Sequence, residues 1–194
     1  MIQTAEMLKV FQQYRGDAIV VPGRAGHHWM EISTRPHLDL PLGDPAMGGH
    51  ASFAFGLALG RPDRKVVLFD SEGDVLMSMG ILPTIAEHKP RNFYHVMLDN
   101  ECYATTGGQP VPNATSVSYD GLARAAGYAR AYAYDNIETF AINVERILAE
   151  PGPVFVALKV VPEIRQPVDR HKRWVPPNRH EVIANLRKEL GIAK

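Results

Sequence analysis

Apolar residues at Leu8, Phe11 and Tyr14 recur at helical spacing, and Thr4 stands where a helix N-cap is expected. Gly16-Asp17 breaks the pattern before the unbroken run Ala18-Ile19-Val20-Val21, so helix, turn and strand follow one another. After the glycine-containing loop PGRAG, residues His27 to Ser33 are expected to open a further helix. A short apolar segment, Leu38 to Leu42, leads into the turn GDPAMGG and then into HASFAFGLALG, whose alanines and glycines predict a helix packed closely against its surroundings. Lys65 to Phe69 and Phe93 to Leu98 are nearly continuous apolar runs, each ending in an aspartate, and Val75 to His88 between them reads as one helix. Ile137, Phe140, Ala141, Val144, Ile147 and Leu148 mark a helical face, and Val154 to Val161 supplies a last strand. Uninterrupted apolar strands alternating with helices are the pattern of a parallel sheet buried on both faces, so the expected fold is α/β, a doubly wound, mostly parallel sheet flanked by helices.

From Glu163 the composition shifts. Arg165, Arg170, Lys172, Arg173 and Arg179 crowd a proline-broken stretch, and Val182, Ile183, Leu186 and Leu190 then form an amphipathic helix. The expected division is a main domain over residues 1–162 and a basic C-terminal arm and helix over 163–194, the arm either wrapping its own domain or docking a partner or substrate anion. The chain of 194 residues has the size of one domain, so a second cofactor domain is expected elsewhere. Lysine plus arginine and aspartate plus glutamate both number 21, which gives no basic footprint for nucleic acid or a membrane surface. A single cysteine, Cys102, permits no internal disulfide and fits a reducing compartment, with cytoplasm the expectation. The start of the chain has no targeting pattern, and the longest apolar stretch, Ala51 to Gly60, is far short of a membrane span.

In open parallel sheets ligands sit beyond the carboxyl ends of the strands, which directs attention to PGRAG, DSEGD and DNECYATTGGQ. None of these is a dinucleotide or P-loop fingerprint. Carboxylate, asparagine amide and backbone carbonyl oxygens suit magnesium, and a helix beginning near Gly73 would favour a bound anion. Acidic residues at strand ends equally serve as turn formers or helix caps.

The run from Ala46 to Pro110 resembles the diphosphate-binding domain of thiamine diphosphate-dependent enzymes. Within that family it is most like the sulfopyruvate decarboxylase beta subunit and phosphonopyruvate decarboxylase. The resemblance covers about residues 18–161 and rests on Ala46-Met47-Gly48, the acidic-glycine motif before Val75-Leu76-Met77, Leu98-Asp99-Asn100, and Thr106-Gly107-Gly108-Gln109. It implies thiamine diphosphate and Mg2+ as cofactors, with Glu72, the Asn100 side chain and the Cys102 carbonyl as metal ligands. Glu72 and Asn100 are 28 positions apart, consistent with a strand-helix-strand unit. It implies cofactor contacts from Pro45, Met47, Gly48, Gly73, Asp74, Asn100 and Ala104: Met47 would prop the bent cofactor, the Pro45 carbonyl would meet its aminopyrimidine, and Gly73 would let the backbone approach the diphosphate. His50, Thr106 and Gln109 are candidate substrate contacts, and Arg24 or a tail arginine a candidate partner for a substrate sulfonate or phosphonate.

The sequence departs from the family at three positions. The family's Gly-Asp-Gly reads Ser71-Glu72-Gly73, and Asp74 replaces a small hydroxyl residue, adding a negative charge near the expected diphosphate. Either Asp74 turns away and offers only its amide, or Asp74 itself is the cation ligand; the gapless Val75-Leu76-Met77 favours Glu72. The implied activity is decarboxylation of a small 2-oxo acid, with the activating glutamate on a second subunit that carries the pyrimidine-binding domain. A carboligase or carbon-carbon lyase subunit and a non-catalytic scaffold are the alternatives.

Overall fold

A computed structural model describes residues 1–41, 47–164 and 178–192. Pro45, Ala46 and the arm residues Arg165, Arg170, Lys172 and Arg173 lie outside the described residues. The elements run α1 (Thr4–Tyr14), β1 (Ile19–Pro22), α2 (Trp29–Ile32), α3 (His50–Gly60), β2 (Val66–Ser71), α4 (Glu72–Met77), α5 (Ile81–His88) and β3 (Phe93–Asp99). They continue with the two-residue strands β4 (Cys102–Tyr103) and β5 (Gln109–Pro110), then α6 (Tyr119–Ala126), β6 (Arg130–Tyr134), α7 (Ile137–Ala149), β7 (Val154–Lys159) and α8 (Arg179–Glu189).

Five strands form one parallel sheet in the order β1-β2-β3-β7-β6. Side chains alternate between two cores, as a pleated strand requires. Val66, Leu68, Phe93, Met97 and Phe155 face α3, α5, α6 and α8, whereas Val67, Phe69, Tyr94, Val96 and Val156 face α1, α2 and α7. Burying a side chain such as Phe93 is worth roughly 1.5–3 kcal/mol, more than a helix cap, so sheet packing fixes where the strand ends lie. From β1 to β3 the chain winds in one direction across the sheet, and from β6 to β7 it returns, with α7 on the opposite face from α3 and α5. That reversal places a topological switch point between β3 and β7, where open sheets form their ligand crevice.

Two local expectations are corrected. Thr4 is the first residue of α1 rather than its cap; Gln3 occupies the cap position, without a side-chain capping bond. The helix expected over Val75 to His88 is two helices, interrupted at Ser78 to Gly80. Pro83 supplies the reason: in a continuous helix it would remove the amide bond to Met79 and clash with that turn, whereas a restart at Ile81 puts it in the first turn, where its missing N–H costs nothing. Two further elements, α6 and β6, carry no continuous apolar run and have no counterpart in the sequence reading. α6 is set by the Ser118 cap and by Gly127 at φ 101°, and β6 is a half-exposed edge strand.

The final helix is docked. Leu186 and Leu190 are buried in the same core as α3, and Arg61 donates to the Leu190 carbonyl at 3.1 Å. No described helix is long and apolar enough to cross a membrane.

Candidate functional site

The ends of β1, β2, β3 and β7 open into one cleft, lined by Arg24 and His27 after β1, Gly73 after β2, Asn100 and Cys102 after β3, and Glu163 after β7. The loop after β1 is held down onto β2. A Cβ at Gly23 would sit 2.3 Å from the Phe69 carbonyl oxygen, so only glycine permits that approach.

Buried behind the cleft wall, Glu72 converges with the cleft residue Asn100 on one donor. The Cys102 amide donates to Glu72 Oε1 at 3.1 Å and to Asn100 Oδ1 at 3.0 Å. Glu72 has no exposed surface, and its second oxygen, Oε2, has no hydrogen-bond partner among the described residues. Burial pushes the Glu72 carboxyl up to about 7, and the Asp99 carboxylate adds to the rise. Lys159 partly offsets this negative charge by pairing with Asp99 at 2.8 Å and Glu101 at 2.7 Å. A buried carboxylate oxygen without a donor beside an amide oxygen is an incomplete coordination sphere for a hard cation, so the residues present fit Mg2+.

Asp74, two positions on, is buried in a different way. Its Oδ1 accepts from the Gly48 amide at 2.6 Å, and its Oδ2 accepts from the Ser71 hydroxyl at 2.9 Å with His50 Nδ1 3.7 Å away. Its own amide donates to Ser71 Oγ at 3.1 Å, the N-cap bond of α4. Asp74 lines the cleft with its carboxylate engaged by Gly48 and Ser71, and its amide is taken by the cap, which corrects the expectation that this amide faces a diphosphate. Gly48 holds φ at 76°, and a Cβ there would meet Ser78 Oγ at 2.6 Å, so this glycine serves the turn that points its N–H at Asp74. At Gly73 a Cβ would lie 3.1 Å from the Tyr103 ring, so the ring already uses that bare position.

The remaining candidates divide. Met47 lies half exposed on the rim, and Ala104 and Thr106 line the cleft. Gln109 is exposed and exchanges hydrogen bonds with Thr106 at 3.0 and 3.1 Å, and it is not among the lining residues. His50 is only 1% exposed and packs beside Asp74. The Cys102 thiol is pushed up by burial, then by Glu72 and Glu101, away from thiolate chemistry. Sequence reasoning missed Tyr103 and Tyr119. The Tyr119 hydroxyl is buried without a hydrogen-bond partner among the described residues, and burial, then Asp99 and Glu72, raises its pKa. No spacing in the sequence marks either tyrosine.

The family model described as thiamine pyrophosphate enzyme, C-terminal TPP binding domain, matches residues 23–158. The chain belongs to this family. This thiamine pyrophosphate-binding domain is 40% identical over 119 residues to a sulfopyruvate decarboxylase subunit beta from Methanothermobacter thermautotrophicus, covering 60% of each chain. It is 31% identical over 159 residues to the subunit of the same name from Methanococcus maripaludis, covering 81% of this chain and 83% of that one. With phosphonopyruvate decarboxylase from Streptomyces hygroscopicus it shares 35% identity over 143 residues, 74% of this chain, and spans 34% of that protein's length. Among solved structures, benzoylformate decarboxylase from Polynucleobacter necessarius superposes with a TM-score of 0.71 at 16% identity, over 84% of this chain and 34% of that one. That likeness concerns the fold.

Proposed function

We propose that this thiamine pyrophosphate-binding domain is the diphosphate- and metal-holding half of a two-subunit 2-oxo acid decarboxylase. Glu72 carries the reading: a fully buried carboxylate whose Oε2 lacks a donor among the described residues and whose other oxygen shares the Cys102 amide with Asn100. In this reading Glu72, the Asn100 side chain and the Cys102 carbonyl hold Mg2+, and the ion neutralises the carboxylate that burial otherwise penalises. Asp74 acts as a positioning residue, anchoring Gly48 and the rim that bears Met47. When bound, the cofactor accepts the electrons released as carbon dioxide leaves the 2-oxo acid. Arg24 lies on the cleft wall, where its charge would favour an anionic substituent of the substrate, and Thr106 faces the same space.

A second subunit is supported by α3. That helix is apolar around its whole circumference: Ala54, Phe55 and Ala58 are buried, while Phe53 is 41% and Leu59 47% exposed. An apolar helix with one bare face is expected to be covered in an assembly, and two of the relatives are named as beta subunits. The partner would contribute the carboxylate that activates the cofactor ring, and the active site would lie between the two chains.

The test is recovery of this chain with its copurifying polypeptide, followed by carbon dioxide release from sulfopyruvate, phosphonopyruvate and pyruvate with thiamine diphosphate and Mg2+, with and without an acceptor aldehyde. Decarboxylation by the pair alone, with an aldehyde product, is expected. Carbon-carbon bond formation as the main outcome would replace the proposal with a carboligase, and absence of cofactor binding by the pair would replace it with a scaffold.

A further inference from the structure

His27, His28 and Glu163 meet at the cleft rim from the ends of two strands that lie far apart in sequence. His27 and His28 follow the turn after β1 in right-handed helical backbone, and their rings pack 4.0 Å apart at 38°. Both aim Nε2 at the same atom: Glu163 Oε2 lies 3.1 Å from His27 Nε2 and 2.7 Å from His28 Nε2. One ligand atom from each residue falls within 4.8 Å of the others. All three side chains are about one-third exposed, so a solvent ion reaches them without unfolding anything.

The donor set and spacing suit a particular class of ion. Two imidazole nitrogens and one carboxylate oxygen make up a His2Glu set, one of those that hold zinc with an open position. Bonds of about 2.1 Å in tetrahedral geometry separate ligand atoms by about 3.4 Å, so the present 2.7 and 3.1 Å contacts need to open by about 0.7 and 0.3 Å. The hard-cation set of Glu72, Asn100 and Cys102 offers oxygen only, which separates the two preferences.

We infer that His27, His28 and Glu163 form a site for a divalent transition-metal ion of the zinc class, distinct from the Glu72 cluster. His27 and Glu163 line the cleft, so the remaining coordination positions of the ion face it, available to water or to an anionic group entering there. The inference does not depend on the decarboxylase reading.

Calorimetric titration of zinc chloride into the full chain, with Mg2+ in excess to fill the Glu72 cluster, tests it. One saturable equivalent is expected, and cobalt(II) in its place should give the visible absorption of a nitrogen-ligated, low-coordinate ion. Loss of an outer-shell partner alone weakens metal sites about 10- to 100-fold, so loss of ligands in H27A/H28A should weaken binding by at least about tenfold. E163Q should do the same, and it keeps the shape of the side chain should the double variant fold poorly. E72Q should retain zinc binding. The chain has eight histidines, so an isotherm unchanged in H27A/H28A would locate the ion elsewhere and overturn the inference. Absence of any saturable event in the unmodified chain would do so as well.

Discussion

Glu72 and Asp74 are two residues apart on one short helix, both buried and both acidic, yet their surroundings are opposite. Asp74 has donors on both oxygens, from Gly48 and Ser71, and His50 close by. Among the described residues Glu72 has one donor for two oxygens, and its carboxyl is held near 7. The comparison separates a structural carboxylate from one poised for a ligand. The first has its hydrogen bonds supplied by the fold, and the second keeps one oxygen without a donor among the described residues.

The largest effect expected from this contrast is in the pH dependence of the cofactor-free chain. Folding raises the Glu72 carboxyl from 4.5 to about 7, so between those values the folded chain binds more protons than the unfolded one. Stability contributed by protonated Glu72 is therefore present below pH 4.5 and lost as pH rises through about 7, by up to roughly 3 kcal/mol. Urea unfolding at pH 5 and pH 7.5 should show the decline, and E72Q should flatten it; an equally steep decline in E72Q would remove the contrast. Next, D74A leaves the buried Gly48 amide and the Ser71 hydroxyl without their acceptor and should cost about 1–3 kcal/mol, read by the same unfolding assay. A neutral result would mean that Asp74 is no anchor. Smallest, S71A removes the cap of α4 while Asp74 keeps the Gly48 amide, so a loss of about 1 kcal/mol is expected in thermal unfolding.

Much of this organisation is legible in the sequence, and the illegible parts share a cause. β2, β3 and β7 announce themselves as unbroken apolar runs because the sheet is covered on both faces. β6 does not, because an edge strand half open to water tolerates the alternation Arg-Ala-Tyr-Ala-Tyr. The break between α4 and α5 was available from Pro83, whose constraint outweighs the helical periodicity around it. At the site, spacing brings Glu72 and Asn100 together because one strand-helix-strand unit carries both. The role of Asp74 is decided by an amide 26 positions away, at Gly48, and the burial of His50 by the packing of α3. The meeting of Glu163 with His27 and His28 spans 135 positions to the nearer of the two and depends on β1 and β7 ending at the same edge of the sheet. Such contacts are set by topology, which no local pattern encodes.

The most direct measurement is calorimetry of thiamine diphosphate with Mg2+ on the assembled protein, comparing E72Q with D74N. The account predicts that E72Q abolishes the Mg2+-dependent heat while D74N retains it with reduced affinity. Retained binding in E72Q together with its loss in D74N would transfer the metal to Asp74 and contradict the assignment.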